Sequence, residues 1–216
     1  MISGVYYGSW NEWKMRLKHV DKRYNVVYLA FANPNGKLGG LIASGLNFTS
    51  PMEVIIEDIK ELKARGVVVM LSVGGATYLF PNGFDALEMV KLANYMGCNG
   101  IDIDWEPNDG NTKQWDGIIQ TFHDRIESEK GVCKLLSAAV WSTGCMQPVA
   151  GDMFKGMNIS GLVNKGAYLN WLNIMAYDCG PPEQISPLGS FYTYRVYYSG
   201  PLCMGFEVGK MGWGKD

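Results

Sequence analysis

Histidine is nearly absent from this chain: His19 and His123 are the only two in 216 residues. There is no HExxH, and the five cysteines (Cys98, Cys133, Cys145, Cys179 and Cys203) form no CxxC pair. Both absences speak against a zinc site. Five is also odd, so at least one thiol is left unpaired. No apolar run approaches the ~18 residues of a membrane span, and nothing after Met1 resembles a secretory leader. The chain is expected to stay out of the membrane, and either to work inside the cell or to have lost a leader. Charge is sparse and balanced, with a formal net of −2. Its scattered basic residues give nucleic acid no continuous footing. No G-x-G-x-x-G follows the first strand-like segment, so nothing points to a dinucleotide. Neither metal nor cofactor is expected, and the sequence sets no oligomeric state.

What the chain has in quantity is glycine, with 27 residues, and aromatics, with 7 Trp and 12 Tyr. Such rings fill cores, and they also stack on the apolar faces of sugar rings; composition leaves both open. Two sequons, Asn47-Phe-Thr49 and Asn158-Ile-Ser160, matter only in a secretory pathway.

Strand-like and helix-like segments alternate. Strands are expected over 2–7, 25–32, 67–73, 99–107, 134–140, 171–177 and 202–206. The second is an almost continuous apolar run, which suits a parallel sheet covered on both faces. Helices are expected loosely over 13–20, then from Ser50 to Arg65, Phe84 to Met96, and Thr112 to about Lys130. Ser50-Pro-Met-Glu53 reads as a capping box with proline at the first helical position. Gly66 and Gly97 read as helix stops. Residues 142–167 are expected to be irregular with at most short helices, and a loop with Pro181 and Pro182 precedes the last strand. The alternation predicts an α/β fold with right-handed crossovers. Its even spacing favours a (β/α) barrel over a doubly wound sheet.

The stretch 99–107, N-G-I-D-I-D-W-E-P, carries the chemistry. Asp102, Asp104 and Glu106 occupy alternate positions, with Ile101, Ile103 and Trp105 between and before them. On a strand of period two the acids point one way and the apolar residues the other. Stacked carboxylates repel, and burial penalises their charge. A strand serving the fold alone rarely carries them. An exposed edge strand would carry them cheaply. A calcium site would also use carboxylates, although acids at i, i+2 and i+4 do not curl round an ion as a loop does. The apolar residues between the acids favour an interior site. Pro107 ends the strand and leaves Glu106 at its carboxyl end. Asp102 and Asp104 should share a proton. A negative neighbour should raise the pKa of Glu106 into the range of a general acid. Gly74, Gly75, Trp141, Tyr177 and Asp178 are expected at other strand ends, where barrel sites gather.

These residues resemble the signature of family 18 glycoside hydrolases, the chitinase family, written D-G-x-D-x-D-x-E, with Asn99 in place of the first Asp. Asn99 is out of phase with the acids, so a supporting role is expected for it. Ser72-Val-Gly-Gly75 is similar to the family's S-x-G-G. Met175-Ala-Tyr-Asp178 is similar to its M-x-Y-D on the sixth strand. Val5-Tyr-Tyr-Gly-Ser-Trp10 and Ala30-Phe-Ala32 look like its first and second strands. The resemblance covers nearly all of the chain. It implies a (β/α)8 TIM barrel and hydrolysis of β-1,4-linked N-acetylglucosamine polymers such as chitin, without metal or cofactor. It further implies that Glu106 is the acid, that Asp104 holds the substrate's acetamido N–H, and that Asp102 orients Asp104 with the spare proton. Tyr177 would donate to the acetamido oxygen. Tyr6, Phe31, Gly74, Gly75, Trp141, Met175 and Asp178 would bind substrate. The family barrel has an eighth strand, commonly ending in a Trp. Here the last residues are Gly212-Trp-Gly-Lys-Asp216, so the expectation is one domain over 1–216, truncated after strand seven, with Trp213 a poor substitute. The resemblance also implies an extracellular location. An endo-β-N-acetylglucosaminidase acting on glycans or peptidoglycan would use the same acids. A catalytically silent, lectin-type member usually loses the acid that Glu106 supplies here.

Overall fold

Hydrogen bonding orders seven strands into one sheet, in chain sequence from β1 to β7. They are β1 (Gly4–Gly8), β2 (Val26–Ala32), β3 (Val68–Gly74), β4 (Gly100–Asp104), β5 (Leu135–Trp141), β6 (Trp171–Met175) and β7 (Leu202–Gly205). The computed structural model describes residues 1–39, 41–107, 114–177 and 186–207. Every neighbouring pair is parallel. Parallel strands need crossovers, and helices supply them. The sheet curls into most of a barrel. Across its interior, Trp171 Nε1 of β6 donates to the Tyr28 hydroxyl of β2 at 2.7 Å, and that hydroxyl donates to Asn173 Oδ1 at 3.1 Å. Among the described residues no strand joins β7 back to β1. The architecture is the (β/α) barrel that the alternation predicts, with seven strands described.

The helices are α1 (Leu41–Ser44), α2 (Met52–Ala64), α3 (Leu87–Met96), α4 (Gln114–Ser128), α5 (Ile159–Lys165) and α6 (Pro187–Tyr197). α4 buries Trp115, Ile118, Ile119, Phe122 and Ile126, a single stripe at helical spacing. Trp115 stacks on Trp105 with ring centroids 5.3 Å apart. Ile101 and Ile103 are fully buried in the same core. The apolar residues of the acidic stretch therefore pack outward against helices, and its acids are left to the barrel interior. Gly66 and Gly97, at φ +80° and +82°, stop α2 and α3 as expected. The Val67 and Cys98 N–H groups close the last turns onto Leu62 and Ala93 carbonyls at 3.1 and 2.8 Å.

Four local expectations fail, the first two because tertiary contacts override them. Ser50 does not cap α2: its N-cap is Pro51, and no side chain caps it. Instead the buried Glu12 carboxylate accepts from Thr49 N–H (2.7 Å), the Thr49 hydroxyl (2.8 Å) and Ser50 N–H (2.8 Å). Residues 13–20 hold only a 3-10 turn at Leu17–His19, preceded by another at Ser9–Asn11. The chain is extended at Arg16, which pairs with the buried Asp58 of α2. α3 begins at Leu87 rather than Phe84. α6 lies where the sequence suggests a loop. Its run of aromatic and β-branched residues, Phe191 to Tyr198, favours strand over helix. Ser186-Pro187 is the signal that would have found it, with Ser186 Oγ accepting the Gly189 N–H at 3.0 Å. The expected Thr112 cap lies outside the described residues, as does Cys179. The other four cysteines are free. No helix among the described residues is long and apolar enough to cross a membrane.

Candidate active site

The base of the site is laid by Asn99. Its Oδ1 accepts the Val69 N–H at 3.0 Å, and its own N–H goes to the Val69 carbonyl at 2.6 Å. Its carbonyl accepts from Lys134 and Leu135 at 2.7 and 3.1 Å. One residue thus ties β3 and β5 to the start of β4. Three positions on, register sets Asp102 between Ser72 of β3 and Ser137 of β5. Curvature adds Tyr6 of β1 and Asn173 of β6. Asp102 Oδ2 accepts from the Tyr6 hydroxyl at 2.9 Å and Ser72 Oγ at 2.8 Å. Its Oδ1 accepts from Ser137 Oγ at 2.6 Å and Asn173 Nδ2 at 3.2 Å. Burial raises the pKa of this fully enclosed carboxyl, and the four donors oppose the rise by favouring its charged form.

Asp104 is placed differently. It is 3% exposed, and its Oδ1 is buried with no hydrogen-bond partner. Burial pushes its pKa well up, and the charges of Glu106 and Asp102 push it further. Four donors favour the charged form of Asp102, whereas Asp104 has an unpaired oxygen and nothing among the causes of its shift that favours charge. Glu106 lies two residues past the end of β4 and is partly buried. Its pKa is raised as expected, but burial is the main cause rather than a negative neighbour; the Ala76 N–H bonded to it opposes the rise. Gly74 and Gly75 deliver that N–H. They sit at φ +113° and +80°, where a side chain is strained. Gly75 N–H donates to the Asp104 carbonyl at 2.8 Å. A Cβ on Gly74 would lie 2.1 Å from the same oxygen.

At the carboxyl ends of the strands opens a cavity of about 630 Å³, within the range of small-ligand clefts. Asp104 and Glu106 line it, with Phe31, Trp141, Met175 and Tyr177 of the residues named from the sequence. Gly74 and Gly75 do not line it; they shape the wall from behind. Tyr6 does not line it either. It stacks on Tyr28 at 4.5 Å and bonds to Asp102, because curvature turns it into the barrel interior. Asp178 and Trp213 lie outside the described residues. The sequence reading missed Trp10, Asn47, Tyr78 and Phe154 on the wall and Ser137 beside Asp102, and it held Ser72 only as part of the S-x-G-G motif, without its bond to Asp102. Trp10 carried a signal, an indole just after the first strand. Tyr78 and Phe154 sit on loops that no pattern marks. The two sequons separate: Asn47 is exposed at the cavity, whereas Asn158 is 1% exposed and hydrogen-bonded through its side chain. Among the described residues no group of three or more His, Cys, Asp or Glu is arranged to hold a metal.

A family model described as glycosyl hydrolases family 18 matches residues 3–200. A chitinase of Plasmodium falciparum (isolate 3D7) is 31% identical in an alignment of 162 positions that covers 65% of this chain and 43% of that protein. The chain thus spans less than half the length of this relative. A GH18 chitinase from Pseudoalteromonas aurantia has the same fold, with a TM-score of 0.72 at 22% identity, covering 97% of this chain and 81% of that one. So has a xylanase and alpha-amylase inhibitor protein from Scadoxus multiflorus, with a TM-score of 0.63 at 18% identity over 94% of this chain and 78% of that one. The architecture is therefore shared by proteins named for different activities, while the sequence match reaches across almost the whole chain, and this protein belongs to glycosyl hydrolases family 18.

Proposed function

We propose that the chain hydrolyses β-1,4-linked N-acetylglucosamine polymers with retention of configuration, by the substrate-assisted route. The observation that carries this reading is Asp104 Oδ1, a buried acceptor without a partner on a residue of the cavity wall. An unpaired buried acceptor costs about 1–3 kcal/mol. The acetamido N–H of the substrate would supply the missing donor. Glu106 then protonates the glycosidic oxygen, and the acetamido oxygen attacks the anomeric carbon to give an oxazolinium ion. A proton moved from Asp104 to Asp102 lets Asp104 carry the negative charge nearer the sugar. Three of the four donors around Asp102 are hydroxyls, which can rotate to receive that proton's new hydrogen bond. Tyr177 donates to the acetamido oxygen from the rim and holds it near the line of attack. Phe31, Trp141 and Met175 pack the apolar faces of the sugar, and Asp178 binds its hydroxyls. Glu106 finally activates the water that opens the oxazolinium. A polymer too large to enter a cell is met outside it, so the site of action is extracellular.

The test is release of reducing ends from N-acetylglucosamine oligomers, with calorimetric binding measured in parallel. Glu106→Gln keeps the shape and removes the proton donor. It is expected to lose roughly 10²-fold or more in turnover and to keep its binding. Retention of more than about a third of the activity would overturn the role of Glu106, given what a general acid contributes. A wild-type chain that binds oligomers and never cuts them would mark a lectin. A chain that cuts glycoprotein and spares chitin oligomers would mark an endo-β-N-acetylglucosaminidase.

A further inference from the structure

Trp141 and Phe154 stand together on the cavity wall, ring centroids 4.9 Å apart at 44°. Phe154 belongs to the long segment 142–158 between β5 and α5. The indole has no polar anchor of its own: Trp141 Nε1 is buried without a hydrogen-bond partner. Its pose therefore depends on its backbone, and that backbone is held from outside the cavity. Tyr194 of α6 is fully buried. Its hydroxyl lies 2.6 Å from the Trp141 carbonyl and 2.7 Å from Asn158 Oδ1. A single hydroxyl, with one proton to donate, thus sits against both roots of the segment. Gly144 packs on the same point. Its N–H donates to the Trp141 carbonyl at 3.0 Å, and its carbonyl accepts the Asn158 N–H at 2.9 Å. A Cβ on Gly144 would lie 1.9 Å from Asn158 Oδ1 and 2.4 Å from the Tyr194 hydroxyl. Nothing larger than glycine fits beneath this clasp.

We propose that Tyr194 is a positioning residue for the Trp141–Phe154 wall, setting affinity for the sugar chain without touching it. The proposal rests on the reading of the cavity as a sugar-hydrolysing site. Tyr194 acts through one hydroxyl, and Tyr194→Phe removes that hydroxyl while keeping the buried ring. The experiment is steady-state kinetics on an N-acetylglucosamine tetramer, with thermal unfolding of each protein. The set is wild type, Tyr194→Phe, Asn158→Ala, Phe154→Ala and the Tyr194→Phe/Phe154→Ala double variant. Losing one hydrogen bond's worth of wall order should raise the KM of Tyr194→Phe by about five- to tenfold, with kcat within about twofold of wild type. Asn158→Ala should move KM in the same direction, and it carries the test if Tyr194→Phe does not fold. The double variant should cost less than the sum of its two singles, because Tyr194 works through the wall that Phe154 forms. An unchanged KM in Tyr194→Phe overturns the proposal. So does full additivity, or a fall in kcat that tracks loss of folded protein while KM holds. If wild type does not turn over the tetramer, the reading of the site as chitin-hydrolysing fails instead. Quenching of tryptophan fluorescence by the tetramer then gives the same comparison as dissociation constants. Weaker binding by Tyr194→Phe supports the positioning role in that case, and unchanged binding overturns it.

Discussion

Asp102 and Asp104 are one pleat apart, and four hydrogen-bond donors make them different acids. The folded chain holds the Asp104 proton more tightly than the unfolded chain does, since burial and two negative neighbours raise its pKa. That contribution to stability is complete below the unfolded carboxylate range and is lost as pH rises through the raised folded value. Above that value the buried carboxyl must ionise in an unfavourable place, which counts against the fold. Asp104→Asn removes this penalty together with the group that faces the substrate. The variant should lose activity and melt higher than wild type at about pH 8, with the gap closing toward about pH 4. Thermal unfolding across that range checks it; an offset independent of pH would show that Asp104 does not titrate in this way. The phase of the three acids is legible in the sequence because period two belongs to any strand. Ser137 is not legible, since only sheet register singles it out from the other serines; Ser72 stands in the S-x-G-G stretch, but its bond to Asp102 is likewise a matter of register. Tyr6 is misplaced by sequence reasoning for a related reason: the curl of the sheet, which no local pattern states, turns it toward Asp102.

The end of β3 governs the end of β4. The backbone of Gly74 and Gly75 folds over the Asp104 carbonyl and aims the Ala76 N–H at Glu106. Gly74→Ala brings two penalties, positive φ and a Cβ 2.1 Å from a backbone oxygen that no rotamer change can relieve. Strain alone costs roughly 1–3 kcal/mol, and the clash comes on top of it. Gly83 offers the control: it has φ +72° and nothing within 4 Å of an added Cβ. Gly74→Ala should therefore lose more stability than Gly83→Ala, and it alone should lose turnover as β3 and Glu106 part. Denaturant unfolding and kcat for both variants decide this, and equal losses of stability with intact activity would count against it. Glycine stops are legible because left-handed backbone has few other occupants. The start of α2 is overridden by Glu12, brought in from the first loop. α6 is hidden by strand-forming residues on a helix whose buried members include Tyr194.

At the largest scale the described strands make a curled sheet with two edges. β1 and β7 each lack one neighbour among the described residues. Close by, α6 exposes Leu188, Tyr192 and Val196 at successive helical turns, and Phe206 stands exposed after β7. Unpaired strand edges beside apolar surface invite association. The 216-residue chain should show concentration-dependent self-association in sedimentation velocity. Fusing a strand–helix unit that pairs with both edges should return it to a monomer and raise its melting temperature and turnover together. A chain that stays monomeric at every concentration, with melting and turnover unaltered by the added unit, would sink the idea. The class of fold is legible at this scale because strands and helices alternate. Closure is not, since it depends on tilt and shear shared by all strands.

The ring of donors around Asp102 has a consequence in time. Tyr6 is 96 residues from Asp102 and 167 from Asn173, yet the three side chains are joined by hydrogen bonds. Contacts so remote along the chain form late, because the entropy of closing the loop is lost before the contact returns anything. A refolding or newly made chain therefore acquires its helices and central strands first, while the carboxylates are still wet and behave as ordinary acids. The set of donors around Asp102 is complete only when Tyr6 of the first strand meets Asn173 of the sixth across the interior, so a half-folded chain holds the three acids without the contacts that set Asp102 apart.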